Sequence, residues 1–238
     1  PKNFMKRGKK YQAAKKLVTE PSYGFAEAVA LLKKTSTTKF DSSCEIHVKL
    51  GIDVKQSDQA VRSTVALPHG TGKTLRVIAF VPDNMVKESL AAGAIKAGLE
   101  DLIEEVTKGF LDFDVAVAHP SVMKNLGKVA KTLGQKGLMP NPKAGTVTEE
   151  IVRTIGEIKK GKVEFRADKL GVVHNMFGKA SFTEQQLAEN LKTLLKALVE
   201  AKPSTIKGNF ILGMSLATTM GPGIKLDTSK VLEAVRTN

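Results

Sequence analysis

The chain has 238 residues, 42% of them hydrophobic, so it can bury a core and is not a disordered polycation. Its net charge of +13 favours a polyanionic partner, either nucleic acid or an acidic membrane. Because the chain has no Trp and only two Tyr, a base-stacking platform built on many aromatic side chains is disfavoured.

The single cysteine, Cys44, excludes an internal disulfide and a cysteine-based zinc site. It lies in an alternating strand pattern, which predicts a buried structural thiol. No apolar run is long enough to span a bilayer, and the first residues lack the apolar core of a signal peptide. These features together predict a reducing, cytoplasmic setting. Neither a membrane partner nor a cofactor is predicted.

The positive charge is concentrated at the two ends of the chain. Residues 68–159 hold 12 Lys/Arg and 11 Asp/Glu, a net charge of +1, whereas 1–67 and 160–238 hold 25 Lys/Arg and 13 Asp/Glu, a net charge of +12. The prediction is therefore a basic domain made of 1–67 with 160–238, and a near-neutral domain of 68–159 inserted into it. Glycines near the two changes in charge, Gly70, Gly72 and Gly161, predict hinge segments.

The first 67 residues open with a basic run and continue with a helix and a strand. Seven Lys/Arg within 2–16 are compatible with a solvated helix face or a phosphate-facing one. Apolar spacing predicts a helix over 25–34. Strict alternation over 44–50 predicts a half-buried strand whose polar face includes His47, interpreted as a surface or interstrand histidine.

The middle of the chain alternates strand-like and helix-like segments. Apolar runs at 75–81 and 113–118 predict buried strands, with a short strand in 94–97. Helices are predicted over 84–92, 99–108, 122–133 and 148–160, the third capped by Ser121. This order predicts an inserted three-layer α/β (Rossmann-like) domain with a mainly parallel sheet. No Gly-x-Gly-x-x-Gly follows its first strand, so a dinucleotide fingerprint is absent.

The last third returns to basic character. Runs at 162–166 and 172–175, joined by a turn at 168–171, predict a hairpin. Thr183 and Gln186 form a capping box that opens an amphipathic helix over 184–201. An uncharged strand over 210–218 runs into a Met-Gly-Pro-Gly corner, and a short basic tail follows.

PHGTGK at 68–73 is the segment most similar to a phosphate-binding loop. That pattern requires Gly five positions before the Gly-Lys pair, where this chain has Leu67. The segment also precedes an apolar strand, whereas a phosphate loop follows a strand and opens a helix. We therefore interpret it as a hinge, and no Ser-His-Asp or paired-carboxylate constellation indicates an enzyme.

Seven motifs in fixed order are more specific than any one of them alone. They are KFD at 39–41, EIHVKLGID at 45–53, PHGTGK at 68–73, GLMPNPKAGTV at 137–147, EFRADKLGVVH at 164–174, GKASF at 178–182 and TTMGPG at 218–223. Together they resemble the bacterial large-subunit ribosomal protein L1 family, along essentially the whole chain.

The resemblance implies two domains: a discontinuous α+β sandwich built from both chain ends, and an inserted α/β domain joined to it by two hinges. It implies a monomer within the large subunit that binds the stalk region of 23S rRNA and helps deacylated tRNA leave the exit site. It further implies a repressor that binds its own operon mRNA, with no enzymatic activity and no small-molecule substrate.

The resemblance also implies which residues contact RNA. Lys39, Lys169 and Lys179 would neutralise phosphates, while Thr219 and the backbone of Gly221 would recognise ribose hydroxyls. Phe40 and Met220 would exclude water from those hydrogen bonds. The full predicted set is Lys39, Phe40, Arg166, Lys169, His174, Lys179, Ser181, Thr218, Thr219, Met220 and Gly221.

Two other function classes remain open on composition alone. A nucleotide-using enzyme in the middle domain would require a phosphate loop or a dinucleotide fingerprint, and neither pattern is met. A non-specific DNA-binding architectural protein would bind duplexes with steep salt dependence and without preference for a folded RNA.

Overall fold

The computed structural model describes residues 7–236, so residues 2–6 of the basic N-terminal run lie outside the described part. The chain divides into two compact units. Unit 1 comprises residues 1–72 and 165–238, and unit 2 comprises residues 73–164. Among the described residues, no helix is both long and apolar enough to cross a membrane.

The elements follow one another in a mixed order of helices and strands. The helices are α1 (Lys9–Lys16), α2 (Phe25–Lys34), α3 (Val86–Ala91), α4 (Glu100–Thr107), α5 (Ala130–Lys136), α6 (Ile151–Lys159), α7 (Glu184–Glu200) and α8 (Thr228–Arg236). The strands are β1 (Ser43–Leu50), β2 (Arg62–Ala66), β3 (Val77–Phe80), β4 (Lys96–Gly98), β5 (Val115–Ala118), β6 (Lys162–Arg166), β7 (Val172–Lys179), β8 (Ile211–Thr218) and β9 (Ile224–Leu226).

Unit 1 is built on a four-stranded sheet of order β7-β1-β8-β9, in which the neighbouring strands are antiparallel. The predicted alternation of β1 is confirmed, because Cys44, Ile46, Val48 and Leu50 are buried and the residues between them are not. Helices α2, α7 and α8 contact this sheet. Burial raises the pKa of the Cys44 thiol to about 12, which fits the predicted structural role.

Helix α7 forms as its sequence predicts. Thr183 Oγ1 accepts a hydrogen bond from the Gln186 backbone N–H at 3.2 Å, and Gln186 Oε1 accepts one from the Thr183 N–H at 3.0 Å. This reciprocal capping box satisfies backbone donors that the first turn would leave unpaired. The apolar stripe is buried, namely Leu187, Leu191, Leu194, Leu195 and Leu198.

The same helix buries one polar side chain that the sequence analysis did not single out. Asn190 is fully buried, and its Nδ2 donates to the carbonyl oxygens of Gly70 and Phe177, each at 2.8 Å. Its Oδ1 accepts from the backbone N–H of His69 at 3.0 Å. The side chain therefore fixes the start of the PHGTGK segment to α7 and β7.

Unit 2 contains a parallel three-stranded sheet of order β4-β3-β5, which confirms the predicted parallel pairing. One face of the sheet packs against α4 and the segment 122–133, around Ile78 and Phe80. The other face packs against α6, around Val77 and Ala79. Because β3 is covered on both faces, all of its residues are buried.

Two predicted elements of the basic ends are wrong. The segments 162–166 and 172–175 do not pair as a hairpin: β6 pairs with β2, and β7 pairs with β1. The predicted turn at 168–171 does form, with the Gly171 N–H donating to the Asp168 carbonyl oxygen at 3.0 Å and the Asp168 N–H to the Val172 carbonyl oxygen at 2.9 Å. An isolated bridge joins Ala167 to Val173 beside this turn, but β6 and β7 are not neighbours in a sheet of the described residues. The predicted short basic tail is instead β9 and α8, whose Val231 and Val235 are buried.

The predicted helix over 122–133 is also wrong, although its burial pattern is right. The chain forms 3₁₀ turns at Pro120–Val122 and Asn125–Lys128, and α5 begins only at Ala130. The φ and ψ of Val129, −107° and 1°, lie outside the helical region, and Gly127 lowers helix propensity nearby. His119, not Ser121, caps the first turn.

Candidate nucleic-acid interface

The TTMGPG turn closes one end of the unit 1 sheet, between β8 and β9. The backbone N–H of Thr219 donates to the Ser43 carbonyl oxygen at 3.0 Å. In return, Thr219 Oγ1 accepts from the Ser43 N–H, also at 3.0 Å. This pair of hydrogen bonds extends the β1–β8 ladder by one residue and fixes the Thr219 hydroxyl at the partly exposed strand end.

Met220 has an unusual backbone conformation at the tip of this turn. Its φ is +66°, and it is the only non-glycine residue with a positive φ within residues 7–236. A left-handed conformation costs an ordinary residue about 1–2 kcal/mol. The side chain is 74% exposed. The fold thus places a large apolar side chain in solvent from a strained position, as often occurs at binding sites.

Gly221 allows the turn to pack tightly over Thr218. Its N–H donates to the Thr218 carbonyl oxygen at 2.8 Å, and a Cβ at this position would lie 2.2 Å from Thr218 Oγ1. The Thr218 side chain is buried, and its hydroxyl has no hydrogen-bond partner among the described residues. Thr218 therefore lies beneath the turn, while Thr219 and Met220 face outward.

The KFD and GKASF motifs meet beside this turn through Asp41, which the sequence analysis did not select as a site residue. The Asp41 carboxylate accepts from the Ser181 backbone N–H at 3.0 Å and from Ser181 Oγ at 2.8 Å. Lys179 Nζ donates to the Asp41 carbonyl oxygen at 3.3 Å and to Ser43 Oγ at 3.4 Å. Asp41 therefore positions both Ser181 and Lys179.

Phe40 and Lys39 complete this end of the sheet. Both are exposed, Phe40 to 60%, and both line a cleft that Met220 and Gly221 also line. The strand register explains this proximity, since Ser43 lies opposite Lys179 and Cys44 lies opposite Thr218. Seven predicted residues therefore cluster at this end: Lys39, Phe40, Lys179, Ser181, Thr219, Met220 and Gly221.

Of the other four predicted residues, Thr218 is buried beneath the turn. The remaining three, Arg166, Lys169 and His174, lie away from this cluster. Arg166 and Lys169 line a second cleft of about 470 Å³ with Arg62. His174 Nε2 lies 3.5 Å from Asp168 Oδ2 in the turn that precedes β7. Hydrogen bonds from the backbone N–H groups of Val172 and Leu170 hold the pKa of the Asp168 carboxyl below its ordinary value.

His47 and His174 lie opposite each other on β1 and β7, with their Nδ1 atoms 2.8 Å apart. This arrangement agrees with the interpretation of His47 as an interstrand histidine. The described residues contain no group of three or more His, Cys, Asp or Glu that could hold a metal ion.

His47 gives the outer face of the sheet a pH-dependent stability. Burial of the ring lowers the pKa of His47, and His174 lowers it further, whereas Glu45 raises it. The unfolded chain therefore binds more protons than the folded chain as the pH falls below about 6.5, so the free energy of unfolding decreases there.

We expect urea unfolding to show a lower midpoint at about pH 5.5 than at about pH 7.5, with a smaller decrease in His47→Gln. The variant removes the titrating group and keeps a polar side chain of similar reach. A decrease of equal or greater size in the variant would contradict this assignment to His47.

The three predicted hinge glycines all adopt positive φ: 62° at Gly70, 72° at Gly72 and 109° at Gly161. At Gly72 a Cβ would lie 2.7 Å from Lys179 Cγ, so the residue is also required for close packing within unit 1. Glycine adopts such conformations without steric cost. PHGTGK precedes the strand β3 and opens no helix. A phosphate loop would follow a strand and open a helix, so this position agrees with the interpretation that PHGTGK is not a phosphate loop.

Comparisons with known proteins identify the family. A family model described as "Ribosomal protein L1p/L10e family" matches residues 32–222. The chain is 49% identical to the large ribosomal subunit protein uL1 of Fervidobacterium nodosum over 233 residues, 97% of this chain and 99% of that relative. It is 48% identical to the uL1 of Thermosipho africanus, covering 96% of this chain and 99% of the relative.

A third relative, the uL1 of Macrococcus caseolyticus, is 49% identical over 227 residues, 95% of this chain and 98% of that relative. The resemblance seen in the seven motifs is thereby confirmed. The chain belongs to the ribosomal protein L1p/L10e family, whose members are structural and not catalytic.

Proposed function

We propose that this chain is a constituent of the large ribosomal subunit that binds the stalk region of 23S rRNA through unit 1. The observation that carries the proposal is the TTMGPG turn, where Met220 and Phe40 are exposed beside the fixed hydroxyl of Thr219. The large-subunit names of the relatives support it, as does the net charge of +12 on the two chain ends.

The predicted residues divide into two kinds of contact. Lys39, Lys169 and Lys179 supply positive charge for phosphates, a contribution that depends on salt and is independent of sequence. Thr219 and Gly221 present a hydroxyl and a close backbone, which suit ribose hydroxyls and the shape of a folded RNA. Phe40 and Met220 remove water around them, so that each lost hydrogen bond costs about 1–3 kcal/mol.

Within the ribosome, the protein would form the mobile stalk and assist release of deacylated tRNA from the exit site. The division into two compact units supports hinge motion as the basis for that role, as do the positive φ angles of Gly70 and Gly72, close to one change of unit along the chain, and of Gly161, close to the other. We propose that the units act as separate domains, a basic RNA-binding one and an inserted near-neutral one. We further propose that the protein acts in the cytoplasm, as a monomer within the subunit.

The protein would use the same surface in a second role, as a translational repressor. A messenger that folds like the rRNA site would present the same ribose and phosphate groups to the TTMGPG turn. The protein would then bind its own operon mRNA when all of the rRNA sites are already occupied. Both RNAs would compete for one surface, so repression and ribosome assembly would be mutually exclusive.

An RNA titration tests the proposal. A stalk-type fragment of 23S RNA is compared with a scrambled RNA of equal length across a salt series. We expect the wild type to prefer the stalk fragment at all salt concentrations, and Thr219→Val to weaken that binding by about tenfold, as loss of one buried hydrogen bond implies.

The matched control is Lys9→Ala, which removes one exposed charge from α1. It is expected to weaken binding to both RNAs slightly and to reduce the salt dependence. Equal binding of both RNAs that collapses with salt would contradict specific recognition. A larger loss of stalk-fragment affinity in Lys9→Ala than in Thr219→Val would contradict the assignment of roles.

A further inference from the structure

A cleft of about 550 Å³ separates the start of α1 from the TTMGPG turn. Its size falls in the range of about 300–1,000 Å³ that accommodates small-molecule groups. Within residues 7–236, the lining combines cations with large apolar or aromatic side chains and contains no carboxylate. The residues that carry the argument are Arg7, Lys10, Tyr11, Lys39, Phe40 and Met220.

Aromatic and large apolar side chains form one part of the lining. Phe40 and Met220 are among the most exposed large apolar side chains of the described residues, and Tyr11 lines the same space while only partly exposed. Nucleic-acid bases stack on aromatic side chains such as Phe40 and Tyr11, and each stack contributes about 1–3 kcal/mol. A duplex hides the faces of its bases, so only an unstacked nucleotide could use this lining.

The polar part of the lining supplies cations that can contact the phosphates on either side of such a base. The Arg7 guanidinium lies 5.0 Å from the centre of the Tyr11 ring, and Lys10 and Lys39 are exposed. Guanidinium groups also stack on unpaired bases. Thr38 Oγ1 donates to the Phe40 carbonyl oxygen at 2.9 Å, which restricts the loop that carries Phe40 before any ligand arrives.

From this combination we infer that the cleft binds one unstacked base of a single-stranded RNA segment, with Tyr11 and Phe40 as stacking surfaces. The inference rests on the proposed function, because it names a further subsite beside the turn that reads the folded RNA. It extends recognition from ribose and phosphate groups to a base displaced from its stack.

The composition of the chain makes Tyr11 directly observable. There is no Trp, and Tyr23, the only other tyrosine, is buried, with its hydroxyl accepting from the Glu20 N–H at 2.8 Å. In a Tyr23→Phe background the tyrosine fluorescence therefore reports on Tyr11 alone. The probes are tetra-adenylate RNA and an abasic tetramer with the same phosphates.

We expect tetra-adenylate to quench the Tyr11 fluorescence and the abasic tetramer to leave it unchanged, with at least about tenfold weaker binding of the latter. Phe40→Ala should weaken tetra-adenylate binding by about tenfold and leave the abasic tetramer unaffected. Equal affinity for the two probes, or quenching that survives Phe40→Ala undiminished, would overturn the inference.

Leu170→Ala is the matched control, since Leu170 is an apolar side chain exposed to 72% that does not line this cleft. Leu170→Ala should not change the affinity for either probe. The titration with folded RNA separates the two proposals. If tetra-adenylate does not quench Tyr11 but the protein still prefers the stalk fragment, only the base subsite is overturned. If tetra-adenylate quenches Tyr11 but the protein does not prefer the stalk fragment, only the proposed function is overturned.

Discussion

Gly221→Ala is expected to lower the affinity for a stalk-type fragment of 23S RNA by about a hundredfold, the equivalent of two or more lost hydrogen bonds. The new Cβ would lie 2.2 Å from Thr218 Oγ1 and 3.2 Å from the Thr218 carbonyl oxygen. Thr218 is buried, so the turn must shift outward. The shift displaces Thr219 and Met220 together, and both recognition groups leave their positions at once.

Gly223→Ala provides the control within the same turn. A Cβ at Gly223 meets no atom within 4 Å, so the affinity should stay close to that of the wild type. RNA affinity is measured by filter binding at fixed salt, and thermal unfolding checks that each variant is folded. Equal losses of RNA affinity in Gly221→Ala and Gly223→Ala would show that replacing any glycine of the turn weakens binding, and that the contact with Thr218 is not the cause.

Removing the Thr218 hydroxyl, which obstructs the new Cβ, should restore the RNA affinity of Gly221→Ala. The double substitution Thr218→Ala with Gly221→Ala eliminates the 2.2 Å contact and leaves the new Cβ 3.2 Å from the carbonyl oxygen of residue 218, a tight contact that a small backbone adjustment can relieve. It should recover most of the lost affinity, and Thr218→Ala alone should cost little because its hydroxyl has no partner among the described residues. A double variant as weak as Gly221→Ala would place the cause elsewhere in the turn.

Local sequence patterns predicted the elements whose signals are complete within a short segment. The alternation of β1 and the capping box of α7 depend only on neighbours in the chain, and both formed as expected. The parallel sheet of unit 2 followed from the order of its strands and helices. The identity of the pairing partner is not local, and β6 paired with the unpredicted β2 rather than with β7.

The candidate site was predictable as a set of motifs but not in its internal geometry. Strand alternation could have separated Thr218, which points inward with Met214 and Leu216, from Thr219 on the other face. Asp41 was missed because its partner Ser181 lies far along the chain. Asn190 carried a usable signal: it is a polar residue three positions after Leu187 within an apolar stripe.

Asn190→Ala is expected to lower the free energy of unfolding by about 3 kcal/mol or more, since each unpaired buried group costs about 1–3 kcal/mol. The substitution leaves the carbonyl oxygens of Gly70 and Phe177 and the N–H of His69 without their partner. All three groups belong to unit 1, and two of them lie in the PHGTGK segment, so that segment should detach from α7 first.

Lys196→Ala, an exposed position on the same helix, controls for changes in helix propensity and should remain within about 0.5 kcal/mol of the wild type. Urea unfolding measures the free energies, and hydrogen exchange at Gly70–Gly72 measures local detachment. If Asn190→Ala costs no more than Lys196→Ala, water replaces the amide and the segment is not held by it. If the cost is large but exchange stays slow, Asn190 stabilises the core of unit 1 without anchoring the chain where the two units join.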